Sequence, residues 1–394
     1  MITDSGMIKR IISAKLKKLS LKFPVVSVVG PRQSGKTTLV KNVFPETDYV
    51  SLEDPDTREF ALKDPRGFLA TYSKSVIIDE AQRAPELFSY IQTAVDRRNK
   101  PGQFILTGSQ NLLLHSHVSQ TLAGRVAILK LLPFSIEELK NSRYEQKQSE
   151  EYLIKGFYPR LYDKRIKPAD WYPNYIQTYV ERDIRLIKNI SDLAAFQKFV
   201  KMCAGRIGQI LNLSSLGNDC GISHNTARAW LAILESSYIV FLLEPYHKNF
   251  NKRLVKMPKL YFYDTGLACS LLGIRNKTQL NTHYLKGGLF ESFILSEMVK
   301  DKFNRAIEPG YYYWRDKVGH EIDCITETSG AVLPIEIKSG KTVTDDYFNG
   351  LKYWAKLTGQ SGKNSYLIYN GDEDQKRTFA NVVSWKNISR IIQR

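Results

Sequence analysis

The sequence has 394 residues, more than one hydrophobic core can hold, which indicates two or three domains. Hydrophobic residues make up 43% and charged residues 25% of the chain. This balance is typical of a folded globular protein and excludes a wholly disordered, collagen-like or disulfide-scaffold chain. The 57 Lys and Arg against 40 Asp and Glu give a formal net charge of +17. Such an excess favours a polyanionic partner, nucleic acid before a membrane surface, although solvated lysines alone can produce it.

The spacing of the cysteines and the length of the apolar runs indicate where in the cell the protein is located. The cysteines are Cys203, Cys220, Cys269 and Cys324, and they form no C-x-x-C pair. This spacing argues against a zinc ribbon or extracellular disulfides and favours a reducing cytoplasm. No apolar run approaches the ~20 residues that a membrane span needs. The basic first residues contain no apolar segment of the kind found in a signal peptide. We therefore expect a cytoplasmic protein without a membrane partner.

The first 140 residues alternate short β-branched runs with helix-sized stretches. Each run is apolar on both faces, which predicts a parallel sheet covered on both sides. The predicted strands are 25–29, 48–52, 75–79, 103–107 and 125–131. After Pro133 the 3.6-residue pattern of helices takes over. We therefore expect an α/β core in residues 1–133, followed by a helical lid or linker in residues 134–204.

The segment directly after the first predicted strand, GPRQSGKT at 30–37, fits the pattern G-x-x-x-x-G-K-[ST] and opens a predicted helix. In such a loop the glycines let backbone N–H groups close around phosphates, and the helix N-terminus adds its positive dipole end. Lys36 would reach the outer phosphates, and the Thr37 hydroxyl would ligate Mg²⁺. A glycine-rich turn of no function mimics only part of this pattern. The sequence therefore predicts a site for ATP and Mg²⁺ formed by Gly30, Pro31, Arg32, Gln33, Ser34, Gly35, Lys36, Thr37 and Thr38.

Two carboxylates end the third predicted strand. Asp79 can hold the Mg²⁺ shell and Glu80 can orient and deprotonate an attacking water, although an exposed acidic strand end has the same composition. The fourth predicted strand ends in the polar residues Thr107, Ser109 and Gln110. Because the carboxyl ends of parallel strands face the nucleotide crevice, a side chain such as Ser109 is placed to sense the γ-phosphate.

Arg125 immediately precedes the fifth predicted strand. An arginine at this point can project towards a phosphate of a neighbouring subunit, as an arginine finger does, and would then be catalytic together with Glu80 and Lys36. A structural salt bridge is the alternative. The first interpretation requires a homo-oligomer.

The sequence pattern of residues 205–265 predicts a helix-turn-helix followed by strands, which is typical of a winged helix. We expect Ser214 or Ser215 to cap the first helix, Gly221 to allow the tight turn and Ser223 to cap the second helix. DNA contacts are expected from the second helix and from a basic wing: His224, Asn225, Arg228, Lys248, Lys252, Arg253, Lys256 and Lys259. A winged helix that packs against the ATPase or a partner subunit is the alternative.

A helix and closely spaced strands follow in residues 280–394. Residues i and i+2 of a strand share a face, so Glu336 and Lys338 project together. Asp323 on the neighbouring hairpin strand and Glu291 on the preceding helix can meet them. The three carboxylates would bind Mg²⁺, and Lys338 could stabilise or deprotonate the attacking water. A scaffold that binds without cleaving is the alternative.

The motifs of the first domain occur in an order that resembles the AAA+ branch of P-loop ATPases: the loop at 30–37, DEAQ, LTGSQ and LAGR. Later segments resemble the bacterial and archaeal AAA ATPases with a DUF4143 C-terminal half: YVERDI, KLYFYDTGLA, FESFILSEM, YYWRDKVGHEIDCI and LPIEIKSG. This resemblance covers nearly the entire chain. It implies an AAA-type core with a helical lid, a winged helix and a C-terminal α/β domain similar to PD-(D/E)XK nucleases. It also implies a homo-oligomer, for which a hexameric ring is one expected form.

The sequence therefore favours a Mg²⁺-dependent ATPase whose hydrolysis drives rearrangement on DNA. A nucleotide-gated switch of binding or assembly, with a nuclease-like domain that only holds nucleic acid, is the first alternative. A platform for protein interactions, in which the basic surface holds no nucleic acid, is the second.

Overall fold

The structure is a computed structural model that describes residues 8–72, 74–98, 100–109, 121–183, 192–246, 255–328 and 330–392. Its N-terminal part is built on a five-stranded sheet of β1 Val25–Val29, β2 Asp48–Ser51, β3 Val76–Asp79, β4 Phe104–Gly108 and β5 Val126–Lys130. The order across the sheet is β2-β3-β4-β1-β5, and all neighbours are parallel. All five predicted strands are thus confirmed, each within one residue at either end.

Helices cover both faces of this sheet: α1 Ser13–Ser20, α2 Lys36–Val43, α3 Pro55–Lys63, α4 Pro65–Thr71 and α5 Leu87–Arg98. Successive residues of β1 point to opposite faces. Val26 therefore packs in one apolar cluster with Leu39, and Val25 packs in another with Phe88. The predicted two-sided burial is confirmed for β1, β3 and β4, whereas the edge strand β2 leaves Asp48 and Tyr49 exposed and β5 is half-buried at alternate residues.

Short helices follow the sheet: α6 Ile136–Leu139, α7 Ser149–Lys155, α8 Pro159–Asp163, α9 Pro168–Tyr175 and α10 Leu193–Ala204, with a π-helical segment over Ile176–Asp183. Aromatic rings fill the space between α8 and α9. Trp171 and Tyr175 stack with centroids 4.7 Å apart, and the Tyr158 ring lies 4.9 Å from each of them. The predicted change from strands to helices after Pro133 is confirmed for the described residues.

The middle module consists of α11 Leu213–Cys220, α12 His224–Ser236 and the antiparallel pair β6 Val240–Leu243 and β7 Lys259–Phe262. Gly221 ends α11 with a φ of 72°, a backbone conformation that favours glycine, and Ser223 caps α12 through Thr226 N. The expected cap of α11 was wrong: the Asn212 side chain accepts from Ser215 N, because asparagine is the residue directly before the helix.

The C-terminal part begins with the helices α13 Thr265–Leu271, α14 Lys277–Thr282 and α15 Lys286–Asn304. Its sheet contains β8 Tyr311–Arg315, β9 Glu321–Thr328, β10 Ala331–Lys338, β11 Tyr366–Tyr369, β12 Gln375–Lys376 and β13 Asn381–Ser384, and its other helices are α16 Asn349–Thr358 and α17 Ser389–Ile392. The order is β12-β13-β11-β10-β9-β8. β10 pairs antiparallel with β9 and parallel with β11.

Helix α15 joins the C-terminal part to the N-terminal part. The buried Glu297 carboxylate accepts a hydrogen bond of 2.6 Å from Ile136 N, at the start of α6. The same carboxylate forms a 2.7 Å ion pair with the buried Lys300. Lys130 at the end of β5 reaches Glu308 at 2.8 Å. A buried charge is stable only when it is paired, so Lys300 stabilises the Glu297 carboxylate that holds α15 at the start of α6. Among the described helices, none is long and apolar enough to cross a membrane.

Candidate functional site

The loop between β1 and α2 holds a conformation that its glycines permit. Gly30 has a φ of 155°, and a Cβ atom on it would lie 2.0 Å from the Leu131 carbonyl oxygen. Any side chain there would displace the end of β5, whose Leu131 N donates to Val29 O at 2.7 Å. Gly35, with a φ of 92°, begins α2. The loop therefore closes tightly before the helix N-terminus.

Lys36 lies inside this loop. Its ammonium donates to the carbonyl oxygens of Gly30 at 3.0 Å and Pro31 at 2.8 Å, and the residue is buried. Burial lowers the pKa of Lys36 to about 8, against the opposing effect of Glu80 and Asp79. An anion in the loop would give this ammonium a counter-ion that its two neutral carbonyl partners do not supply.

The rest of the predicted loop lies around the same space. The Ser34 hydroxyl is buried and has no hydrogen-bond partner among the described residues. The Ser34 carbonyl accepts from buried Arg10 at 2.8 Å, and Arg32 reaches Glu53 at 3.2 Å. Gln33 adopts a positive φ of 62°. A buried hydroxyl that lacks an acceptor beside a buried ammonium is a donor set that fits a phosphate group.

Asp79 stands at the centre of a set of hydroxyl groups. Its Oδ2 accepts from Thr37 at 3.0 Å and from Tyr49 at 2.8 Å, and its Oδ1 accepts from Thr107. Burial and the hydrogen bond to Asp79 raise the pKa of Tyr49 to about 12, so this phenol remains a donor. The predicted pair of Thr37 and Asp79 is brought together with oxygen atoms that suit Mg²⁺. Tyr49 was not predicted.

Glu80 is held by two side-chain donors. Its backbone is left-handed, with a φ of 53°. Its carboxylate accepts from the Gln82 amide and, at 3.0 Å, from Ser109 Oγ. Ser109, expected beside the γ-phosphate, thus lies next to the predicted base. Gln110, which follows it, lies outside the described residues. Gln82, a residue of the DEAQ motif, had no predicted role.

A cavity of about 770 Å³ opens beside the loop, on the side of α2. Its walls come from the chain before α1, from α2 and from the helical segment after the sheet, and include Arg10, Gly35, Thr38, Phe134, Tyr144 and Tyr162. The lining also carries polar and charged side chains, among them Lys9, Asn42, Arg143 and Asp163, so the cavity offers both apolar surface and hydrogen-bonding groups to a small molecule. The cavity adjoins the loop at 30–37 through Gly35, and the first turn of α2 through Thr38.

Arg125 is at the opposite end of the sheet from this loop. It precedes β5, whose first residue pairs with the first residue of β1, whereas the loop follows the last residue of β1. Its guanidinium forms a two-point ion pair with Asp96, at 2.5 Å and 3.0 Å. Within one chain Arg125 therefore takes part in a salt bridge, which was the alternative to a finger.

The predicted DNA contacts of α12 are exposed. His224, Asn225 and Arg228 all face solvent in the first two turns of the helix. In the wing, Lys248, Lys252 and Arg253 lie outside the described residues, and Lys256 is exposed. The assignment of Lys259 to the wing surface was wrong. This lysine is 3% exposed, because strand β7 turns it inward against the C-terminal part.

Lys259 meets the carboxylates that were predicted to bind a metal. Its ammonium contacts Glu291 at 3.1 Å and also Glu321. The Tyr261 hydroxyl donates to the same Glu291. Burial lowers the pKa of Lys259, but Glu291 and Glu321 outweigh it, so this pKa lies above its ordinary value. The pairing of Lys259 with these acids was not predicted, because Glu291 and Glu321 are distant from it in sequence.

Lys338 holds the other two predicted carboxylates. Its ammonium lies 3.1 Å from Asp323 and 2.5 Å from Glu336, and Asp323 also accepts from Ile337 N at 2.8 Å. We call Glu291, Glu321, Asp323 and Glu336 the acidic centre. Its carboxylates face ammonium groups. Across the described ranges, no three Asp, Glu, His or Cys side chains are arranged to hold a metal ion. The acidic centre therefore does not fit the predicted metal site in this arrangement.

Comparison with family models divides the chain into three matches. Residues 22–140 match the AAA domain model, residues 146–278 match a domain of unknown function, DUF8612, and residues 286–388 match another, DUF4143. The DUF8612 match spans both the helical segment and the middle module, which were predicted as separate units.

Uncharacterised proteins of Mycobacterium tuberculosis and Mycobacterium bovis are each 32% identical to this chain over 340 residues, covering 85% of this chain and 74% of theirs. Among solved structures, a Walker-type ATPase of Pyrococcus abyssi aligns with a TM-score of 0.47 at 17% identity, over 69% of this chain and 97% of that one. The chain belongs to the same family as the two mycobacterial proteins, and it is an AAA-like P-loop ATPase with a DUF4143 domain.

Proposed function

We propose that this chain binds ATP with Mg²⁺ in the loop at 30–38 and hydrolyses it. The observation that carries this proposal is the buried Lys36 ammonium, held at the N-terminus of α2 by two neutral carbonyl groups. Phosphate oxygens would replace these carbonyls as charged partners, which are the stronger acceptors. The Ser34 hydroxyl would gain an acceptor at the same time. The nucleoside would occupy the cavity walled by Phe134, Tyr144 and Tyr162.

Thr37 and Asp79 would hold Mg²⁺, which neutralises charge that develops on the phosphates during transfer. Tyr49 and Thr107 keep the Asp79 carboxylate in one orientation through their hydroxyl groups. Glu80 would accept a proton from the attacking water. To do so it must exchange its present donors, Gln82 and Ser109, for that water. Ser109 is also expected beside the γ-phosphate, so its hydroxyl would couple the position of Glu80 to the presence of that phosphate.

The second part of the proposal is that the middle module is a winged helix that binds DNA. Its support is the pair α11 and α12 followed by the hairpin β6–β7, with His224, Asn225 and Arg228 exposed at the start of the second helix. Recognition helices of this kind contact DNA through their first turns. The net charge of +17 adds the attraction to phosphates. A homo-oligomer, with a hexameric ring as one form, would place Arg125 beside a neighbouring nucleotide.

The nucleotide-gated switch remains the second candidate function, and one contact favours it. Lys259 of the middle module neutralises carboxylates of the C-terminal part, which suits a binding scaffold better than a nuclease. In this version ATP alters assembly, and the C-terminal domain holds nucleic acid without cutting it.

Substitution of Lys36 tests the proposal. Lys36→Ala should abolish tight ATP binding, because the outer phosphates lose their main cation, and hydrolysis should fall to background. Lys63→Ala, which removes an exposed lysine of α3 that pairs with Glu59, is the matched control and should bind normally. Wild-type hydrolysis by Lys36→Ala would reject the site. Turnover measured with and without duplex DNA separates the two functions, since only a DNA-acting ATPase is stimulated.

A further inference from the structure

Arg10 joins the loop at 30–37 to the chain that follows the sheet. Its Nη1 donates to the Ser34 carbonyl at 2.8 Å, and its Nη2 donates to the Leu132 carbonyl, just after β5, at 2.7 Å. Its Nε forms a 3.0 Å ion pair with Glu138 of α6. Each nitrogen of the guanidinium thus has its own acceptor, on three separate segments. Arg10 is 7% exposed, so these partners and not water hold it.

The buried Glu138 carboxylate is held by further donors. Its Oε1 also accepts from Ile11 N at 2.9 Å, and its Oε2 accepts from Ser135 N at 3.0 Å, which completes the cap of α6. The Phe134 ring lies 5.0 Å from the guanidinium carbon of Arg10. A buried ion pair is stable only where additional hydrogen bonds satisfy both partners. The position of the guanidinium is therefore set by α6 as well as by the loop.

The hydrogen bond from Arg10 orients one peptide group of the loop. The Ser34 carbonyl and the Gly35 N–H belong to the same peptide, and the described residues contain no cis peptide bond. In a planar trans peptide these two groups point in opposite directions. Because the carbonyl is turned towards Arg10, the Gly35 N–H is directed away from it. This N–H donates a hydrogen bond to none of the residues that the structure describes.

Backbone N–H groups of such a loop bind phosphate oxygens, together with the N-terminus of the helix that follows. We propose that Arg10 is a positioning residue for nucleotide binding. Through Ser34 it turns the Gly35 N–H towards the phosphates, and through Glu138 it makes this orientation depend on α6. The inference rests on the proposed function and adds a means of regulation to the same site. Displacement of α6 would move Arg10, release the peptide and weaken the binding of the phosphates.

Binding of ADP to the full-length chain, measured by calorimetry in EDTA, tests this inference without hydrolysis or metal. Arg10→Lys keeps the charge beside Glu138, but its side chain ends one atom short of Nη1 and Nη2. We expect it to weaken ADP binding ~10-fold or more, the effect of losing one hydrogen bond to a charged group. Arg206→Lys is the matched control, because Arg206 likewise donates to a carbonyl, that of Met202, and to a carboxylate, that of Asp219. It should bind ADP as wild type does.

Steady-state hydrolysis supplies a readout that a purely structural role would not change. Arg10→Lys should raise KM for ATP by about the factor measured for ADP, because the loop contacts phosphates that both nucleotides carry. Its kcat at saturating ATP should remain close to that of wild type, since Lys36 and Glu80 are unchanged. Glu138→Gln removes the charge that holds Arg10, so it should weaken ADP binding and raise KM in the same direction.

Unchanged ADP affinity in both Arg10→Lys and Glu138→Gln would overturn the inference, even if both variants melt at a lower temperature. A lower kcat with unchanged KM in Arg10→Lys would overturn it as well. Lys36→Ala distinguishes these results from failure of the proposed function. If wild type binds ADP and Lys36→Ala does not, the nucleotide site stands whatever the Arg10 variant does. If wild type binds no ADP, the site and this inference both fail.

Discussion

The Tyr49 hydroxyl donates a 2.8 Å hydrogen bond to Asp79, from the edge strand of the ATPase sheet to its neighbour. Asp79 is one of the two residues proposed to hold Mg²⁺, so Tyr49 orients a metal ligand without being one. Tyr49→Phe should therefore weaken the apparent Mg²⁺ affinity in ATP hydrolysis by ~10-fold or more, the usual cost of removing such a partner. Titration of Mg²⁺ at saturating ATP measures it.

Tyr90→Phe is the control for this change, since it removes the hydroxyl of a half-buried tyrosine on α5. Its Mg²⁺ dependence should match wild type. A Tyr49→Phe enzyme with unchanged Mg²⁺ dependence but lower thermal stability would show that the Tyr49 hydrogen bond is only structural.

Glu80→Gln should keep nucleotide binding and slow turnover by ~10²-fold or more, because the amide cannot accept the proton of water. Equilibrium binding of ATP and single-turnover hydrolysis, measured on one preparation, separate the two effects. If Glu80→Gln fails to bind ATP, the residue supports the fold of the site and our role for it is wrong.

Arg125 should act on a neighbouring subunit. Arg125→Ala chains mixed with Lys36→Ala chains should recover part of the activity that each lacks alone, since one supplies the loop and the other the arginine. Hydrolysis by demonstrably mixed oligomers is the measurement. Asp96→Ala is the control, because it breaks the ion pair but keeps the arginine. If Asp96→Ala loses as much activity as Arg125→Ala and mixing restores none, the salt bridge is the function of Arg125.

Stability should depend on pH through Glu235 of α12. Burial, and then the nearby Glu244, raise the pKa of Glu235 from 4.5 to about 7. The folded chain thus holds this proton more tightly than the unfolded chain, so stability falls as pH rises from 4.5 to 7 and the loss persists above pH 7. Glu235→Gln should remove a penalty of about 1 to 3 kcal/mol at pH 8 and little at pH 4.

Thermal melting of the full chain at the two pH values measures the effect of Glu235. Glu373→Gln, at an exposed glutamate of the C-terminal part, should change neither melting temperature. Equal shifts of Glu235→Gln at both pH values would mean that packing, and not ionisation, accounts for the change.

Local patterns in the sequence predicted the parts of this site that lie within one segment. The strands of the ATPase sheet, the loop at 30–37 and the shared face of Glu336 and Lys338 all follow from spacing along the chain. Contacts between distant segments were predictable only where a motif marks both residues, as for Thr37 and Asp79. The hydrogen bond from Tyr49 depends on β2 lying beside β3, and a single sequence does not give strand order.

The same reason explains the error at Lys259. Its segment is basic, with Lys252, Arg253 and Lys256 shortly before it, so composition indicated a surface wing. Only the docking of β7 against α15 turns this side chain towards Glu291. A lysine that pairs with acids far along the chain has no local signature that distinguishes it from a solvated one.

The Glu297 carboxylate accepts a hydrogen bond from Ile136 N and forms an ion pair with Lys300. These contacts limit which changes of the gene leave the fold intact. Recombination could replace the segment from residue 286 onwards. The incoming helix would then need its own acid at the position of Glu297, to accept the hydrogen bond from Ile136 N in the first turn of α6. After a protease cut between α14 and α15 we expect the fragments to stay associated, because Phe293 of α15 also packs in one apolar core with Tyr152 and Phe157. We therefore expect exchange of the two halves to preserve the fold only where the incoming segment keeps an acid at position 297.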